Sequence, residues 1–334
     1  MNREHPSSWT MRAARIIAPR QVEIEQIAVP EPGPGEVRIQ VEGCGVCGSN
    51  LPLWRGLPWF HYPVEPGAPG HEGWGWVDRV GAEVDSVKLG EQVAFLSDRA
   101  YAEYDIARAD SLVRVPAATE IFPGEALGCA MNIFRRCQIE PEQTVAVVGV
   151  GFLGALLIEL AVAAGAHVIA VSRRPFALQV ARRCGATETL TSSDPTAVVA
   201  QVMKRTDGSG CTCVIEAAGE QGTLDLASEL IGVRGRLVIA GYHQDSPRQV
   251  NMQLWNWRGI DVINAHERDP RRYVGGMKAA ADRIAQGTLD TEFLYTHGFT
   301  LENISAAFDA LDERPEGFIK AWIQPRQNQA SVQG

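Results

Sequence analysis

The pattern of hydrophobic and polar positions changes near residue 144 and divides the chain into two kinds of region. Before that point, short apolar or alternating runs predict β-strands, because successive side chains of a strand point to opposite faces. Turn-rich pieces such as Pro30–Gly35 separate these runs. The predicted strands of this β-rich region are Met11–Ile17, Glu36–Val41, Gly73–Val80 and Gln92–Phe95.

From residue 144 the pattern alternates between strand and helix. The apolar run Val145–Val148 predicts a strand, and Leu153–Ala164 predicts a helix that ends at Gly165. Further predicted strands are His167–Val171, Thr212–Ala217, Arg236–Ala240 and Ile260–Asn264, with helices at Phe176–Cys184 and Leu224–Ile231 between them. Alternating strands and helices predict an α/β fold with a doubly wound parallel sheet, whose ligand binds at the carboxyl ends of the strands.

The last part of the chain lacks this alternation. It contains predicted helices at Tyr273–Gln286 and Leu301–Leu311 and a final strand at Phe318–Ile323. These elements need a surface to pack on, and the β-rich region is the expected partner. We therefore predict a first domain over residues 1–135, a nucleotide-binding domain over 136–266, and a return to the first domain over 267–334.

Composition narrows the class of protein. The 334 residues are enough for two domains, and a net charge of -9 argues against a surface that binds nucleic acid. Glu159 and several glycines interrupt the longest apolar stretch, so it predicts a buried strand–helix–strand rather than a membrane span. Met1–Thr10 has no apolar segment of the signal-peptide kind, and seven scattered cysteines fit a reduced protein. We expect a cytoplasmic protein without membrane or nucleic-acid partners.

A glycine-rich turn follows the first strand of the alternating region. Gly149 would permit the tight turn, Gly151 the approach of the backbone to a pyrophosphate, and Gly154 close packing of the helix on the sheet. The motif alone is weak, but its position between a strand and a helix predicts a dinucleotide site. The predicted site comprises Gly149, Val150, Gly151, Phe152, Leu153 and Gly154, with Ala217 and Gly241 at the ends of later strands.

The end of the second strand indicates which dinucleotide binds. Proteins that bind NAD usually place a carboxylate there for the ribose hydroxyls, whereas this chain has Ser172, Arg173 and Arg174. An arginine fork matches the oxygens of a 2′-phosphate, which a carboxylate would repel. These residues favour NADP(H) over NAD. The alternative is that the two arginines are solvated side chains at the start of a helix, although cations at a helix N-terminus interact unfavourably with the helix dipole.

A cysteine and a His–Glu pair in the β-rich region suggest a metal site. Cys47 and His71 are 24 residues apart, too far for a local zinc knuckle, and Glu72 follows directly. Thiolate, imidazole and carboxylate are donors of catalytic zinc sites that leave one position open. A fourth ligand could come from Glu125 or Cys129. The alternative is a buried free cysteine and an ordinary hydrogen-bonded histidine.

Residues between these candidate ligands could serve catalysis. The hydroxyl of Ser49 can both donate and accept a hydrogen bond, as a proton relay must, although it could equally be a turn serine. Trp54 and Trp59 lie on an aromatic-rich loop before His71 and could line an apolar or ring-stacking substrate pocket together with Asn50. The alternative for these rings is packing of the loop onto the domain.

Motifs from Met11 to Pro325 resemble those of the zinc-dependent alcohol dehydrogenases of the medium-chain dehydrogenase/reductase superfamily. They are Pro30–Val37, Gly45–Ser49, Gly70–Glu72 with Gly75 and Gly81, Gly149–Gly154 and Gly317–Lys320. The resemblance implies a GroES-like β-rich catalytic domain, formed by residues 1–135 and 267–334, and a Rossmann domain over 136–266 that binds NADP(H). It also implies a homodimer or homotetramer joined partly at the last sheet strand.

By position, the resemblance implies specific roles. The implied zinc ligands are Cys47, His71, Glu72 and Glu125, with Cys129 in reserve. Lys320 matches a basic residue that touches the cofactor pyrophosphate.

The chain departs from the family in three places. It lacks the four-cysteine lobe that holds a structural zinc, so we expect one catalytic zinc per chain. Asn50 replaces a frequent Asp and would orient His71 through a hydrogen bond without adding charge. Pro52 replaces a histidine that passes the proton to solvent in many members, so a relay would have to end at the cofactor ribose, a water or another histidine such as His61.

These features together predict an oxidoreductase that transfers hydride between NADP(H) and an alcohol, ketone or aldehyde. A cyclic polyol, a sugar derivative and an aromatic alcohol are all compatible substrates. The alternatives are a zinc-free quinone or enoyl reductase of the same superfamily and a non-catalytic protein that binds NADPH.

Overall fold

The computed structural model describes residues 9–326, and the chain forms two compact units. Within the described residues, the first unit comprises residues 9–126 and 295–326, and the second comprises Leu127–Leu294. The prediction that Met1–Thr10 has no signal-peptide segment concerns residues of which only Trp9 and Thr10 are described. The outer limits of the predicted domains, residues 1 and 334, also lie outside the described residues.

The first unit is built mainly on antiparallel β-structure. Strand β1 (Thr10–Ala18) pairs with β2 (Gln21–Ala28) in a two-stranded sheet. A larger sheet has the order β14-β15-β3-β4-β5-β7, with β6 also pairing with β3. Its members are β3 (Glu36–Gly45), β4 (Glu72–Val80), β5 (Gln92–Phe95), β6 (Tyr104–Arg108), β7 (Leu112–Arg114), β14 (Tyr295–Thr300) and β15 (Lys320–Gln324). Strands β14 and β15 form a parallel pair.

Two helices complete this unit, α1 (Leu51–Arg55) and α9 (Ile304–Glu313). Strand β3 alternates buried apolar residues such as Val37, Ile39 and Val41 with more polar positions, as a strand packed on one face requires. The predicted helix Leu301–Leu311 and strand Phe318–Ile323 correspond to α9 and β15. Both lie in the same unit as β3.

Trp54 belongs to the hydrophobic core of this unit and not to a substrate pocket. Its side chain is fully buried, and its ring stacks on Phe308 of α9 at a centroid distance of 5.0 Å. Its indole N–H donates to Asp309 Oδ1 at 3.0 Å, so the one polar atom of the ring is satisfied. The prediction that Trp54 lines a substrate pocket is therefore wrong. Trp59, by contrast, is 51% exposed.

The second unit contains a six-stranded, wholly parallel sheet. Its strands are β8 (Thr144–Val148), β9 (His167–Ser172), β10 (Glu188–Thr191), β11 (Cys211–Glu216), β12 (Ile231–Ile239) and β13 (Asp261–Asn264). Their spatial order is β10-β9-β8-β11-β12-β13, in which the strand order reverses beside β8. This is the doubly wound order of dinucleotide-binding folds, and it confirms the predicted fold class.

The helices of this unit are α2 (Gly124–Cys137), which begins in the first unit, α3 (Phe152–Ala163), α4 (Pro175–Arg183), α5 (Pro195–Arg205), α6 (Gln221–Leu230), α7 (Met252–Arg258) and α8 (Pro270–Ala285). Strands β8, β9 and β11 are almost entirely buried, since helices cover both faces of such a sheet. The helix α3 is apolar on nearly all sides for the same reason.

The division into units differs from the predicted boundaries at residues 136 and 266. Helix α8 lies in the second unit, whereas the sequence suggested that it packs on the first domain. The reason is local: a Cβ at Gly128 of α2 would lie only 2.8 Å from Met277, so glycine permits a close approach of α8. Asn132 Nδ2 also donates to the carbonyl of Arg272 at 3.0 Å.

Among residues 9–326, none of the helices combines the length and the apolar character that crossing a membrane requires.

Replacing Trp54 with Ala should lower the free energy of unfolding by about 3–5 kcal/mol, because it leaves a cavity beside Phe308. The matched control Trp59→Ala removes a half-exposed ring and should change it by less than about 0.5 kcal/mol. Guanidinium unfolding followed by circular dichroism measures both. Equal losses for the two variants would contradict the placement of Trp54 in the core.

Candidate functional site

The pairing of β3 with β4 brings the predicted metal ligands together. Gly45, the last residue of β3, lies opposite Glu72, the first residue of β4. Cys47 follows β3 and precedes a 3-10 turn, Gly48–Asn50, while His71 directly precedes β4. Residues that are distant along the chain therefore meet at one end of the sheet.

Cys47, His71 and Glu72 each offer one ligand atom, and these three atoms lie within 4.8 Å of one another. In a tetrahedral zinc site the ligand atoms are separated by about 3.5 Å, so a small inward movement would close the group around an ion. The absence of a side chain at Gly45 is essential here. A Cβ at that position would lie 1.8 Å from Glu72 Oε2 and would exclude the carboxylate.

The imidazole of His71 is held in the orientation that a metal ligand needs. Its Nδ1 lies 2.8 Å from the carbonyl oxygen of Pro69, and a carbonyl can only accept a hydrogen bond. In the neutral ring Nδ1 therefore carries the proton, and Nε2 keeps a lone pair for a metal. The sequence assigned this orienting role to Asn50. The structure gives it to Pro69, because the Asn50 carboxamide bonds to Tyr101 instead.

The electrostatics of the site favour a bound cation. Burial by itself would lower the pKa of His71, but Cys47 and the carboxylates of Glu125 and Glu72 outweigh it and raise the pKa to about 10. Without a metal, the site thus retains a proton on the imidazole. A zinc ion would supply that positive charge in its place.

Glu125 lies close enough to this group to interact with it. Burial raises its pKa to about 7, and Glu72 adds to the increase, while His71 and Lys320 act in the opposite direction. It stands in the first turn of α2, with Cys129 one turn further along the same helix and in the second unit. The three-residue group does not include Glu125. The choice between Glu125 and Cys129 as a further ligand stays a prediction.

Lys320 occupies an unexpected position. Strand β15 pairs with β3, which places Lys320 at the same end of the sheet as Cys47. Its buried ammonium donates to Glu72 Oε1 at 2.8 Å and to the carbonyl of Val46 at 3.1 Å. The sequence analysis predicted only a contact between Lys320 and the cofactor pyrophosphate. The motif Gly317–Lys320 does not indicate an ion pair with Glu72.

Both carboxylate oxygens of Glu72 lie beside the Lys320 ammonium. Nζ is 2.8 Å from Oε1, which accepts a hydrogen bond, and 2.5 Å from Oε2, which is buried and accepts none within the described chain. A metal ion held by Cys47 and His71 would share the Glu72 carboxylate with this ammonium. The sulfur, nitrogen and oxygen donors present are those that zinc takes from proteins. The residues therefore fit the ion.

Ser49 and Asn50 lie in the 3-10 turn after Cys47. Ser49 Oγ is 3.5 Å from His71 Nε2 and 3.5 Å from Asn50 Oδ1, so the predicted relay serine stands beside the metal group. Asn50 Nδ2 donates to Tyr101 Oη at 2.8 Å. Tyr101 is a residue that sequence reasoning missed. It lies in the loop between β5 and β6, where the family's cysteine lobe would stand, and no periodic pattern marks it.

Each glycine of the glycine-rich turn occupies a distinct steric environment. Gly149 has a φ of 103°, and a Cβ there would also meet Ala218 N at 2.9 Å. Gly151 precedes α3, and a Cβ on it would point into open space. A Cβ at Gly154 would lie 2.1 Å from the Gly149 carbonyl oxygen, so the helix can pack closely only with glycine.

The end of β9 places the two arginines differently. Arg174 Nη2 donates to the carbonyl of Val150 at 3.0 Å and so ties this strand end to the glycine-rich turn. The side chain of Arg173 is 71% exposed, with a long contact of 3.3 Å to Glu220. Ser172 is buried, and its hydroxyl accepts from the Arg174 backbone N–H at 3.3 Å. Arg173 is thus the more available cation.

A buried carboxylate organises the ends of β11 and β12. Glu216 accepts hydrogen bonds from the N–H groups of Ala218 and Gly219 at 2.9 and 2.8 Å, and from Thr223 and His243. Burial alone would raise the pKa of Glu216, but these bonds outweigh it and lower the pKa. Sequence reasoning missed this residue, although its position after an apolar strand was a usable signal.

The predicted cofactor residues Ala217 and Gly241 flank Glu216. Ala217 N donates to the carbonyl of Val148, and Gly241 N donates to that of Glu216, both at 2.8 Å. A cavity of about 230 Å³ opens beside Gly241 at the carboxyl ends of β12 and β13. Ligands of doubly wound sheets bind at this edge.

Two known domain families match the chain. The alcohol dehydrogenase GroES-like domain matches residues 33–117, and the zinc-binding dehydrogenase domain matches residues 153–282. The two matches lie one in each half of the fold described above.

Several curated relatives are similar over almost the full length. An alcohol dehydrogenase of Rhizobium meliloti is 27% identical, over 87% of this chain and 92% of the relative. A sorbitol dehydrogenase of Bacillus subtilis is 25% identical, over 96% and 99%.

Solved structures show the same fold. A 2R,3R-butanediol dehydrogenase from Bacillus subtilis superimposes with a TM-score of 0.81 and 25% identity, covering 95% of this chain and 100% of that one. A zinc-binding dehydrogenase from Sinorhizobium meliloti, bound to NADP, gives 0.82 with 24% identity over 95% and 100%.

Proposed function

Since this chain belongs to the zinc-dependent alcohol dehydrogenase family of the medium-chain dehydrogenase/reductase superfamily, we propose that it transfers hydride between NADP(H) and an alcohol or its ketone or aldehyde. Its class is that of zinc-binding dehydrogenases that act on alcohols and polyols. The observation that carries the proposal is the group formed by Cys47, His71 and Glu72 at one end of the β3–β4 pair.

The proposed division of labour follows from the geometry. Zinc, when bound, would act as a Lewis acid on the substrate oxygen, and the nicotinamide would accept or give hydride. Cys47, His71 and Glu72 would hold the ion, with Glu125 as the preferred fourth ligand and Cys129 in reserve. The Pro69 carbonyl keeps His71 Nε2 directed toward the ion. Ser49 would receive and pass on the substrate proton at Oγ.

Glu72 and Lys320 form a coupled pair within this scheme. The Lys320 ammonium lies 2.8 Å from Oε1 of Glu72 and 2.5 Å from Oε2, so a bound ion would share the carboxylate with it. We propose that Lys320 chiefly holds Glu72. Its predicted contact with the cofactor pyrophosphate would require the ammonium to be shared or to move.

The proposed preference for NADP(H) rests on Arg173 and Arg174. No carboxylate occupies positions 172–174, and Arg173 is exposed where a 2′-phosphate would lie in a dinucleotide fold. Glu220 is the nearest acid, and its contact of 3.3 Å with Arg173 is long enough for a phosphate to displace it.

The substrate class is proposed at a coarser level. Relatives act on sorbitol, butanediol and simple alcohols by their names, so a polyol or another secondary alcohol is the central candidate. Trp59 and Asn50 remain the proposed pocket residues, and the exposed ring of Trp59 could stack on a cyclic polyol, a sugar derivative or an aromatic alcohol. We propose a cytoplasmic location, because none of the seven cysteines is joined to another in a disulfide.

Two alternatives make different predictions. A zinc-free quinone or enoyl reductase would be active without a metal ion bound by Cys47, His71 and Glu72. A non-catalytic protein would bind NADPH without turnover. A panel of polyols, sugars, aromatic alcohols and ketones, followed at the NADPH absorbance together with zinc quantification, separates all three possibilities.

Replacing Cys47 with Ala should reduce bound zinc from about one ion per chain to none and abolish turnover, because a thiolate ligand is lost. NADPH binding should persist, since the glycine-rich turn is intact. The control Cys44→Ala removes a thiol from the core three residues earlier and should keep the zinc. Zinc is measured by mass spectrometry. Full turnover by the Cys47 variant would refute the zinc mechanism.

Replacing both Arg173 and Arg174 with Ala should raise the Kd for NADPH by about 10- to 100-fold, as charged hydrogen bonds to the phosphate are lost. The Kd for NADH should change far less. The pair Arg182→Ala and Arg183→Ala, in the last turn of α4, removes the same charge and serves as control. Fluorescence titration measures each Kd. An equal loss for both cofactors would argue against the phosphate role.

We also propose that two copies of the chain pair, as a homodimer or within a homotetramer, at the edge strand β13. Val262 on this strand and Trp257 on α7 are 37% and 86% exposed. An edge strand offers backbone groups that a second strand can pair with. Sedimentation should show dimers or tetramers, and Val262→Lys should shift them toward monomer, whereas the control Val233→Lys should not. A monomeric wild-type chain would contradict this proposal.

A further inference from the structure

A chain of hydrogen bonds leads from the core to the serine beside the metal group. Tyr101 Oη lies 3.2 Å from the carbonyl oxygen of Gly45 and 2.8 Å from Asn50 Nδ2. Asn50 Oδ1 in turn lies 3.5 Å from Ser49 Oγ. Tyr101 and Asn50 are both buried, so water does not compete for these groups.

The chemistry of the donors fixes the direction of the chain. A phenol has one proton, and the Gly45 carbonyl can only accept, so the Tyr101 hydroxyl donates to Gly45. The hydroxyl must then accept from Asn50, and only the NH₂ group of the carboxamide can donate. The carboxamide is therefore held with its oxygen toward Ser49. Burial, together with Cys44, Glu72 and Cys47, raises the pKa of Tyr101 well above 10, so the phenol keeps its proton.

Tyr101 is itself rigidly placed. Its backbone N–H donates to the Gly67 carbonyl at 3.1 Å, and its own carbonyl accepts from Ala14 N at 2.9 Å. Its ring contacts Phe308 edge-to-face at a centroid distance of 5.7 Å. The loop between β5 and β6 thus carries a side chain whose hydroxyl position is determined by the core.

We propose that Tyr101 is a positioning residue for the hydride-transfer reaction: through the Asn50 carboxamide it fixes the direction of the Ser49 hydroxyl. This inference rests on the proposed function of Ser49 as proton relay and deepens it. An oxygen of Asn50 facing Ser49 accepts a hydrogen bond from the serine hydroxyl and so directs a serine lone pair toward the substrate. When that lone pair takes the proton of the alcohol, the serine releases its own proton to a water molecule, because the amide oxygen orients the hydroxyl without being protonated itself. A flipped carboxamide would present NH₂ and occupy that lone pair.

The test compares Tyr101→Phe with a matched control. Phe keeps the ring and its contact with Phe308 but removes the hydroxyl, so Asn50 loses its acceptor. Tyr104→Phe removes another buried phenol of the same unit, whose Oη contacts Arg326 at 3.4 Å and not Asn50. Both variants are prepared with zinc bound, and zinc content and thermal midpoint are recorded for each.

The first readout does not depend on activity. In protein labelled with ¹⁵N-asparagine, the carboxamide signal of Asn50, identified by its loss in Asn50→Ala, should exchange slowly with solvent. In Tyr101→Phe its exchange should accelerate at least about 10-fold, and in Tyr104→Phe it should not change. Unchanged exchange in Tyr101→Phe would overturn the proposed hydrogen-bond chain.

The second readout is kinetic. Activity is measured with NADP⁺ and the fastest alcohol of the substrate panel. Tyr101→Phe should lower kcat by about 10- to 100-fold, because the Ser49 hydroxyl is misdirected in the chemical step. The KM for NADP⁺ should not change. The double variant with Asn50→Ala should lose no more than the larger single loss. A kcat within twofold of wild type, or loss of zinc in parallel with activity, would overturn the positioning role. An inactive wild-type chain would instead refute the proposed function, while the exchange result still decides the orientation of Asn50.

Discussion

The antiparallel pairing of β3 with β4, with Gly45 opposite Glu72, is the constraint on which the candidate site depends. It brings Cys47, at the end of one strand, beside His71, at the start of the next. Gly45 has no side chain, so the Glu72 carboxylate can lie where a Cβ would otherwise be. Strand β15 pairs on the other side of β3 and adds Lys320 to the same end of the sheet. Sheet register alone thus assembles a thiol, an imidazole, a carboxylate and an ammonium.

The charges of this group explain why it suits a cation. Glu72 is buried and Glu125 is partly exposed, and the single ammonium of Lys320 neutralises only part of their charge. Against the effect of burial, Cys47 and the carboxylates raise the pKa of His71 to about 10, and burial raises the pKa of Glu125 to about 7. A bound cation would oppose both shifts. The orientation of the site is set by uncharged groups. The Pro69 carbonyl directs His71, and the buried Tyr101 hydroxyl directs Asn50 and, through it, Ser49.

Sequence periodicity predicted the parallel sheet well, because β8, β9 and β11 are short and mostly apolar runs. The glycine-rich turn and the Cys47, His71 and Glu72 group were also predictable, since each role requires a particular residue type. Other features depend on tertiary contacts. Trp54 could have lined a pocket, and only its stacking on Phe308 places it in the core. The short strand β10 buries little apolar surface, so no hydrophobic pattern marks it in the sequence. The close approach of α8 to α2 at Gly128 is likewise not indicated by any sequence pattern. Tyr101 becomes informative only when Asn50 and Gly45 are seen beside it.

The central claim is that one zinc ion binds at the end of the β3–β4 pair through mixed ligands. X-ray absorption at the zinc edge, recorded on the purified protein, tests it most directly. The account predicts one sulfur at about 2.3 Å and the remaining nitrogen or oxygen neighbours at about 2.0–2.2 Å. Cys47→Ala should remove the signal. A shell of four sulfur atoms, or protein that is active without zinc, would contradict the account.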